Sequence, residues 1–314
     1  MTDAGRASAL WDQGRHGEAI DIFRALFLVG QLDEAIRVLE PLSLDAADED
    51  AVHDWLGRAL ATLHWQQRGP DAIAALPAPL RRLAETLLGH PAMVVTGEPV
   101  PPHDIAIPLM NLPWAFGTDL ATIPGRISYF TPDPSAVAAW RHGLAHLPGL
   151  KVGLVWAGEQ QKFDASAYRI DRRRSLKLTA LAPLACVRGV SFVSLQKGAP
   201  YAAQPPPAQP PSAQPPPGIV PHDWTDELSD YADTAALIQA LDLVISADTS
   251  PVHMAGALGR PVWLLNCTES CYRWLRDRDD NPWYPTLRQF RRTAQGDLSG
   301  VIDRVAAALM EHAA

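Results

Sequence analysis

Cysteine is scarce in this sequence, with only Cys186, Cys267 and Cys271 among 314 residues. Three cysteines, an odd and sparse count, do not form the disulfide framework that stabilises small secreted domains. Cys267 and Cys271 are four positions apart, but no second cysteine pair and no adjacent histidine accompany them. We therefore predict no metal site and expect a reducing compartment.

Long apolar runs are also missing. A membrane-spanning helix needs about 18 or more consecutive apolar residues, and no stretch of that length occurs here. The opening MTDAGRASALWDQGRHGEA has no apolar signal-peptide core. We therefore expect no transmembrane segment and a cytoplasmic location.

The chain lacks an excess of basic residues, and its formal net charge is −8. That balance argues against binding to nucleic acid or to anionic membranes, because both need a basic surface. A G-x-G-x-x-G motif is missing after the first α/β strand, where the sequence reads VWAGEQQ, so a dinucleotide oxidoreductase is disfavoured. No Asp-x-Asp motif follows a predicted strand, so we expect neither a metal ion nor another cofactor.

Residues 1–90 have the apolar spacing of helices. The pattern of Trp11, Gly14, Ala19, Ile20 and Phe23 resembles a tetratricopeptide repeat. A second partial match follows after 16 residues, not after the roughly 34 of a full repeat. Two interpretations stay open for this region: a helical cap on the next domain, or a surface that binds a protein partner.

Residues 91–150 are rich in proline and predict a connector with a short strand at 93–96 and a helix at 134–147. From residue 151 the pattern alternates. Apolar runs at 151–156, 190–195, 243–246 and 261–265 predict buried parallel strands. Helical segments are predicted at 178–186, 234–241, 251–258 and 301–311, and a proline-rich insert occupies 201–218. The sequence therefore predicts an α/β fold, with a Rossmann-like parallel-sheet domain over 151–314 preceded by an α-helical region.

The strongest functional signal follows the strand at 243–246. Asp248, Thr249 and Ser250 precede Pro251, which is typical of a helix N-terminus. Such an end presents unpaired backbone N–H groups and a positive dipole, which together can bind a diphosphate. His253 lies in the first turn of the same predicted helix. A purely structural cap is the alternative interpretation.

Two basic segments are predicted at the same edge of the sheet. Lys197 follows the strand at 190–195, and the run Arg172–Ser175 follows the first strand and its turn. Ligands of open α/β sheets bind outside the carboxyl ends of the strands. Arginine and lysine in those positions favour a phosphate ligand.

Five segments carry a family resemblance. They are 151–158, DRRRSLKLTALAPL, FVSLQKG, DTAALIQALDLVISADTSPVHMAGALGRPVWLL and NPWYPTLRQFR. They resemble the C-terminal half of bacterial tetratricopeptide-repeat glycosyltransferases. Those enzymes are heptosyltransferase-like members of the GT-B class (glycosyltransferase family 9), and they are more distantly similar to O-GlcNAc transferases.

The resemblance implies that residues 151–314 form the half of a GT-B fold that holds a nucleotide-sugar. It implies donor contacts from Lys197, Asp248, Thr249, Ser250 and His253, together with Arg174 and Ser175. Segment 97–130 resembles the tail of the acceptor-side domain, so residues 91–150 are interpreted as a remnant of it. The G-x-G-D-type turn that begins that domain in the family is not found before His90.

The implied activity is metal-independent, inverting transfer of a sugar from a nucleoside diphosphate to a protein or glycan acceptor. The family's catalytic base lies in the shortened half, so the base is unassigned; Asp164, Asp171 and His253 are candidates only. The alternatives are a degenerate protein that binds a nucleotide-sugar without catalysis, and a helical adaptor. Five tryptophans could stack on a base or a sugar, but most of them are predicted to be core or interface residues: Trp156, Trp224, Trp263, Trp274 and Trp283.

Overall fold

A computed structural model gives the fold. It describes residues 6, 7, 9, 10, 13, 15, 18, 19, 22, 73–87, 92–103, 107, 111–125, 128–158, 173–197, 219–267, 271–292 and 299–313. The chain divides into two compact units. Met1–Leu76 with Pro91–Ile123 form the first unit, and Pro77–His90 with Pro124–Ala314 form the second. The domain boundaries at 90 and 150 stay predictions.

The first unit contains a two-stranded parallel sheet. Strand β1 (Ile73–Leu76) pairs with β2 (Ala92–Val95), so the predicted strand at 93–96 is present one residue earlier. Strand β1 lies where the sequence predicted only helix. Helix α1 (Arg81–Ala84) lies between these strands in the chain and belongs to the second unit. A short helix of the first unit, α2, follows at Leu112–Ala115. Residues 6, 7, 9, 10, 18, 19 and 22 are helical, but most of the predicted tetratricopeptide pattern lies outside the described residues.

The second unit is built on five parallel strands. They are β3 (Leu150–Val155), β4 (Val190–Ser194), β5 (Leu243–Ala247), β6 (Val262–Asn266) and β7 (Leu287–Arg291). Their spatial order is β4-β3-β5-β6-β7, and every neighbouring pair is parallel. The predicted α/β class and parallel sheet are confirmed. The apolar runs form buried strands because both faces of the sheet are covered.

Three helices cover one face of this sheet: α3 (Pro134–Leu144), α4 (Tyr231–Ala240) and α5 (Ser250–Ala257). Their apolar residues share a core with Val155, Val193 and Val244. The other face is covered by the 3-10 segment Leu178–Cys186 and by α6 (Ser299–Ala313), which pack on Leu154, Ile245 and Phe290. Alternate residues of each strand thus enter opposite cores.

Three details differ from the sequence prediction. Residues 178–186 form 3-10 turns, not an α-helix, and Pro183 lies inside them. A proline removes one N–H donor and clashes with the preceding turn, which disfavours an α-helix there. The helix predicted at 234–241 is α4, which begins earlier, at Tyr231. It begins there because the Asp230 carboxylate accepts hydrogen bonds from the N–H groups of Ala232 and Asp233. The edge strand β7 was not predicted.

The order of strands places a topological switch point between β3 and β5. His222 forms a parallel bridge with Val193 on the outer side of β4, in the position of one further strand. If this bridge is counted as a strand, six strands lie side by side in the order 3-2-1-4-5-6, where each number is a strand's position along the chain. This order is typical of Rossmann folds. After β3 the chain adds β4 on one side of β3, and it then crosses to the other side to add β5, β6 and β7. Ligands of such sheets bind at that switch point, outside the carboxyl ends.

No helix within the described stretches is long and apolar enough to cross a membrane.

Candidate functional site

The N-terminus of α5 lies at the carboxyl end of β5. Thr249 is the N-cap residue, but its side chain makes no capping hydrogen bond. Its hydroxyl instead lies 3.3 Å from the carbonyl oxygen of Ala247 and 3.2 Å from the Ser246 hydroxyl. Ser250 and Pro251 occupy the first two helical positions. The first-turn backbone donors therefore receive no side-chain cap from Thr249, which suits an anion site.

Arg174 joins the loop after β3 to the loop after β5. Its Nη1 donates to the carbonyl oxygen of Asp248 at 2.9 Å, across 74 residues of sequence. Ser175, the next residue, accepts a hydrogen bond from the Gly158 N–H at 3.0 Å. Arg174 thus lies beside Asp248, and Ser175 lies at the end of β3. A hydroxyl that accepts one hydrogen bond can still donate another.

Lys197 is reached by way of a buried glutamine at the end of β4. Gln196 Oε1 accepts from the N–H groups of Trp156 and Ala157, at 3.2 and 2.9 Å. These bonds fix the ends of β4 and β3 side by side. Lys197 follows and is exposed. It lies at the same edge as Asp248 but at the end of β4, two strands away from β5.

His253 is held in the first turn of α5 by aromatic neighbours. Its ring stacks on Trp274, with centroids 4.7 Å apart and planes 22° apart. Its Nδ1 lies 3.2 Å from the Tyr284 hydroxyl, and its Nε2 lies 3.9 Å from Asp248 Oδ1. Burial, together with the positive charge of Arg273, lowers the pKa of His253 to about 4. The imidazole is therefore neutral at physiological pH.

Tyr284 and Tyr129 extend this arrangement, and neither was singled out from the sequence. Tyr129 is a neighbour of Tyr284, and burial raises the pKa of both hydroxyls. Tyr284 lies in the segment NPWYPTLRQFR, which carried part of the family resemblance. The resemblance of that segment to the family was the signal in the sequence that pointed towards Tyr284. Nothing in its spacing indicated which of its residues would reach α5.

A polar network closes the carboxyl end of β6 and β7. Asn266 is fully buried and its Nδ2 donates to Gln289 Oε1 at 2.8 Å. Arg291 Nη2 donates to the same oxygen at 2.9 Å. Gln289 Nε2 in turn donates to the carbonyl oxygen of Trp274 at 2.8 Å, which fixes the segment that carries the ring beneath His253.

Metal-binding geometry is not present in the described part of the chain, where no three His, Cys, Asp or Glu side chains form a group that could hold an ion. Burial, with a smaller effect of the Asp248 charge, raises the pKa of the Cys267 thiol.

Trp156, Trp263 and Trp274 are buried, whereas Trp224 and Trp283 are partly exposed. Arg172, Asp164, Asp171 and the insert 201–218 lie outside the described residues.

The chain is similar to Protein FlbA of Caulobacter vibrioides, with 35% identity over 194 residues. The alignment covers 61% of this chain and 30% of that protein, so the chain spans less than a third of its relative's length. No protein-family model matches the chain, and no solved structure matches it. The relative's name states no activity, so the function has to be inferred from the site.

Proposed function

We propose that the carboxyl edge of the second unit binds the diphosphate of a nucleotide-sugar, and that the protein is a metal-independent, inverting glycosyltransferase of the GT-B class. The observation that carries the proposal is the hydrogen bond between Arg174 and the Asp248 carbonyl. It brings a permanent positive charge beside the uncapped N-terminus of α5, at the switch point of the sheet. A diphosphate is the ligand class that suits this combination.

The charged groups of the site suit different parts of such a ligand. The backbone N–H of Ser250, the guanidinium of Arg174 and the ammonium of Lys197 would stabilise negative charge on the leaving diphosphate. This electrostatic role would otherwise fall to a divalent cation. The carboxylate of Asp248 repels phosphate, so we assign it to hydroxyl groups of the ribose or the transferred sugar.

His253 fits this site as a hydrogen-bond donor, not as the base. A general base works best when its pKa lies near the operating pH. A pKa of about 4 makes His253 too weak a base to deprotonate an acceptor hydroxyl at neutral pH. The catalytic base therefore belongs to another residue, which stays unassigned.

A nucleotide-sugar-binding protein without transferase activity is the second candidate. One observation favours it: in the described residues of the first unit, the only sheet is the two-stranded pair β1 and β2. A GT-B acceptor domain is expected to contain several more strands. Such a protein would keep the donor site and use its first unit for another purpose, such as binding a protein partner.

Calorimetric titration with UDP, GDP and ADP in the presence of EDTA tests the donor site. We expect one nucleotide to bind with micromolar affinity, and Lys197→Ala to weaken that binding about 10-fold, because charge-assisted hydrogen bonds contribute about 1.5–3 kcal/mol. Lys151→Ala is the matched control. Its Nζ donates to the Gly149 carbonyl at the opposite edge of the same sheet, so this variant should bind normally.

The two candidates are separated by turnover. Release of sugar from the matching nucleotide-sugar, or its transfer to an added glycan or protein acceptor, would support the transferase. Binding without either reaction would favour the non-catalytic protein. If the folded wild-type protein binds none of the three nucleotides, both forms of the proposal fail.

A further inference from the structure

We propose that Tyr284 is a positioning residue that fixes the tautomer of His253, so that the imidazole presents an Nε2–H donor at the N-terminus of α5. This inference rests on the proposed function for its purpose, since the donor would serve a phosphate oxygen. The tautomer itself is a property of the free protein and can be measured without any ligand.

The geometry gives the two ring nitrogens different neighbours. Nδ1 faces the Tyr284 hydroxyl at 3.2 Å, and Nε2 faces the carboxylate of Asp248 at 3.9 Å. Stacking on Trp274 prevents the ring from turning out of its plane. The side chain of His253 retains 26% of its exposure, so one edge remains accessible to a ligand.

The direction of the hydrogen bonds follows from what each group can do. A carboxylate only accepts, so a bare Nε2 lone pair facing Asp248 would be repelled, whereas an Nε2–H would be attracted. A neutral imidazole carries a single N–H, so Nδ1 must then accept. The Tyr284 hydroxyl is the group within reach that can donate to it.

Tyr284 keeps the hydrogen that it donates to Nδ1. Burial, and to a smaller degree the neighbouring Tyr129, raise the pKa of Tyr284, so its hydroxyl is protonated at neutral pH. The Tyr284 side chain is partly buried against the core, so water competes weakly for this bond.

The resulting donor is suited to a phosphate oxygen. At 3.9 Å the Nε2 to Asp248 distance is too long for a hydrogen bond, so the N–H is not held by that carboxylate. A ligand oxygen can therefore accept from it. Because the imidazole is neutral, it does so without placing a second cation at the helix end.

The first test is long-range ¹H–¹⁵N correlation spectroscopy of the histidine side chains at pH 7. His253 is identified among the ten histidines by the signal that is lost in His253→Gln. We expect the wild-type pattern of an Nε2–H tautomer, and a shift towards the other tautomer in Tyr284→Phe. The control Tyr272→Phe removes the hydroxyl of an exposed tyrosine and should leave the pattern unchanged.

Two outcomes would overturn the inference: an Nδ1–H pattern in the wild-type protein, or a Tyr284→Phe spectrum identical to that of the wild type. The phenylalanine keeps the ring that packs on α5, so the variant should fold. If it does not, the wild-type spectrum decides, since it requires no variant and an Nδ1–H pattern in it contradicts the inference.

Affinity provides the second readout. With the nucleotide that binds the wild type, Tyr284→Phe should weaken binding about 5-fold, the equivalent of one hydrogen bond. An unchanged affinity together with a changed tautomer would remove the purpose that we assign to it. If no nucleotide binds at all, the proposed function fails, and the spectra still decide whether Tyr284 sets the tautomer.

Discussion

Gly256 of α5 lies directly against the ring of Tyr284. A Cβ atom at position 256 would come within 2.4 Å of Tyr284 Cγ and 2.5 Å of Cδ1. Only a glycine allows the ring to pack this closely on the helix. The same contact holds the Tyr284 hydroxyl next to His253, one helical turn earlier, so a small residue in the α5 sequence determines the position of a polar group from a distant segment.

Replacing Gly256 with alanine should therefore displace Tyr284. We expect the Gly256→Ala protein to lose about 1–3 kcal/mol of stability, the usual cost of overpacking, despite the better helix propensity of alanine. Thermal denaturation measures the loss. Gly143→Ala in α3 is the matched control, since nothing lies within 4 Å of its added Cβ. The control should be unchanged or slightly more stable; equal stability of both variants would contradict the described contact.

The bond from Arg174 to the Asp248 carbonyl should contribute measurably to folding. Removing a partly buried, charged donor leaves that carbonyl without its partner, so we expect Arg174→Ala to cost about 1–2 kcal/mol. Lysine should restore only part of this, because it lacks the planar fork of arginine. Urea denaturation provides the measurement. Arg188→Ala, which removes an exposed arginine just before β4, should cost little; a similar loss in both variants would show that net charge is responsible.

Burial of His253 should make the protein less stable in mild acid. Its pKa is lowered from 6.5 to about 4 in the folded state, so between these values the unfolded chain binds a proton that the folded chain does not. Stability therefore falls as the pH decreases from about 6.5 to 4, by up to about 3 kcal/mol, and this contribution becomes constant below pH 4. Asp248 attracts the protonated ring, Arg273 repels it, and Tyr284 and Trp274 keep it from water.

Urea denaturation at several pH values, compared with His253→Gln, isolates this contribution. The difference in unfolding free energy between the two proteins should change over that range and stay constant above pH 7. Parallel curves throughout would mean that His253 titrates normally in the folded protein.

Much of the α/β unit could be predicted because its local sequence signals agree with its tertiary environment. The runs KVGLVW and LVIS are continuously apolar, and both became central strands. Strand β7 escaped prediction because LRQFR contains two arginines and a glutamine. Gln289 is nevertheless buried, since its amide donates to the Trp274 carbonyl. A buried polar residue whose partners are distant in sequence gives no local signal.

The candidate site divides in the same way. The position of Asp248, Thr249 and Ser250 at the end of a strand and the start of a helix was readable from the local motif. The pairing of Arg174 with Asp248 follows from the strand order, which the sequence left open. Tyr284 and Trp274 reach His253 from segments 20 or more residues away, and no periodicity indicated them.

The sequence by itself determined the parallel α/β class, the start of α5 directly after Asp248 and Thr249, and the basic residues after two of the strands. These properties depend on hydrophobic periodicity and on the chemistry of helix ends, both of which act over a few residues. Tertiary structure alone decided that β3 lies between β4 and β5, that Arg174 meets Asp248, and that His253 is enclosed by Trp274 and Tyr284. Such contacts depend on the packing of segments far apart in the chain, where the free energy belongs to the whole core and not to any local pattern.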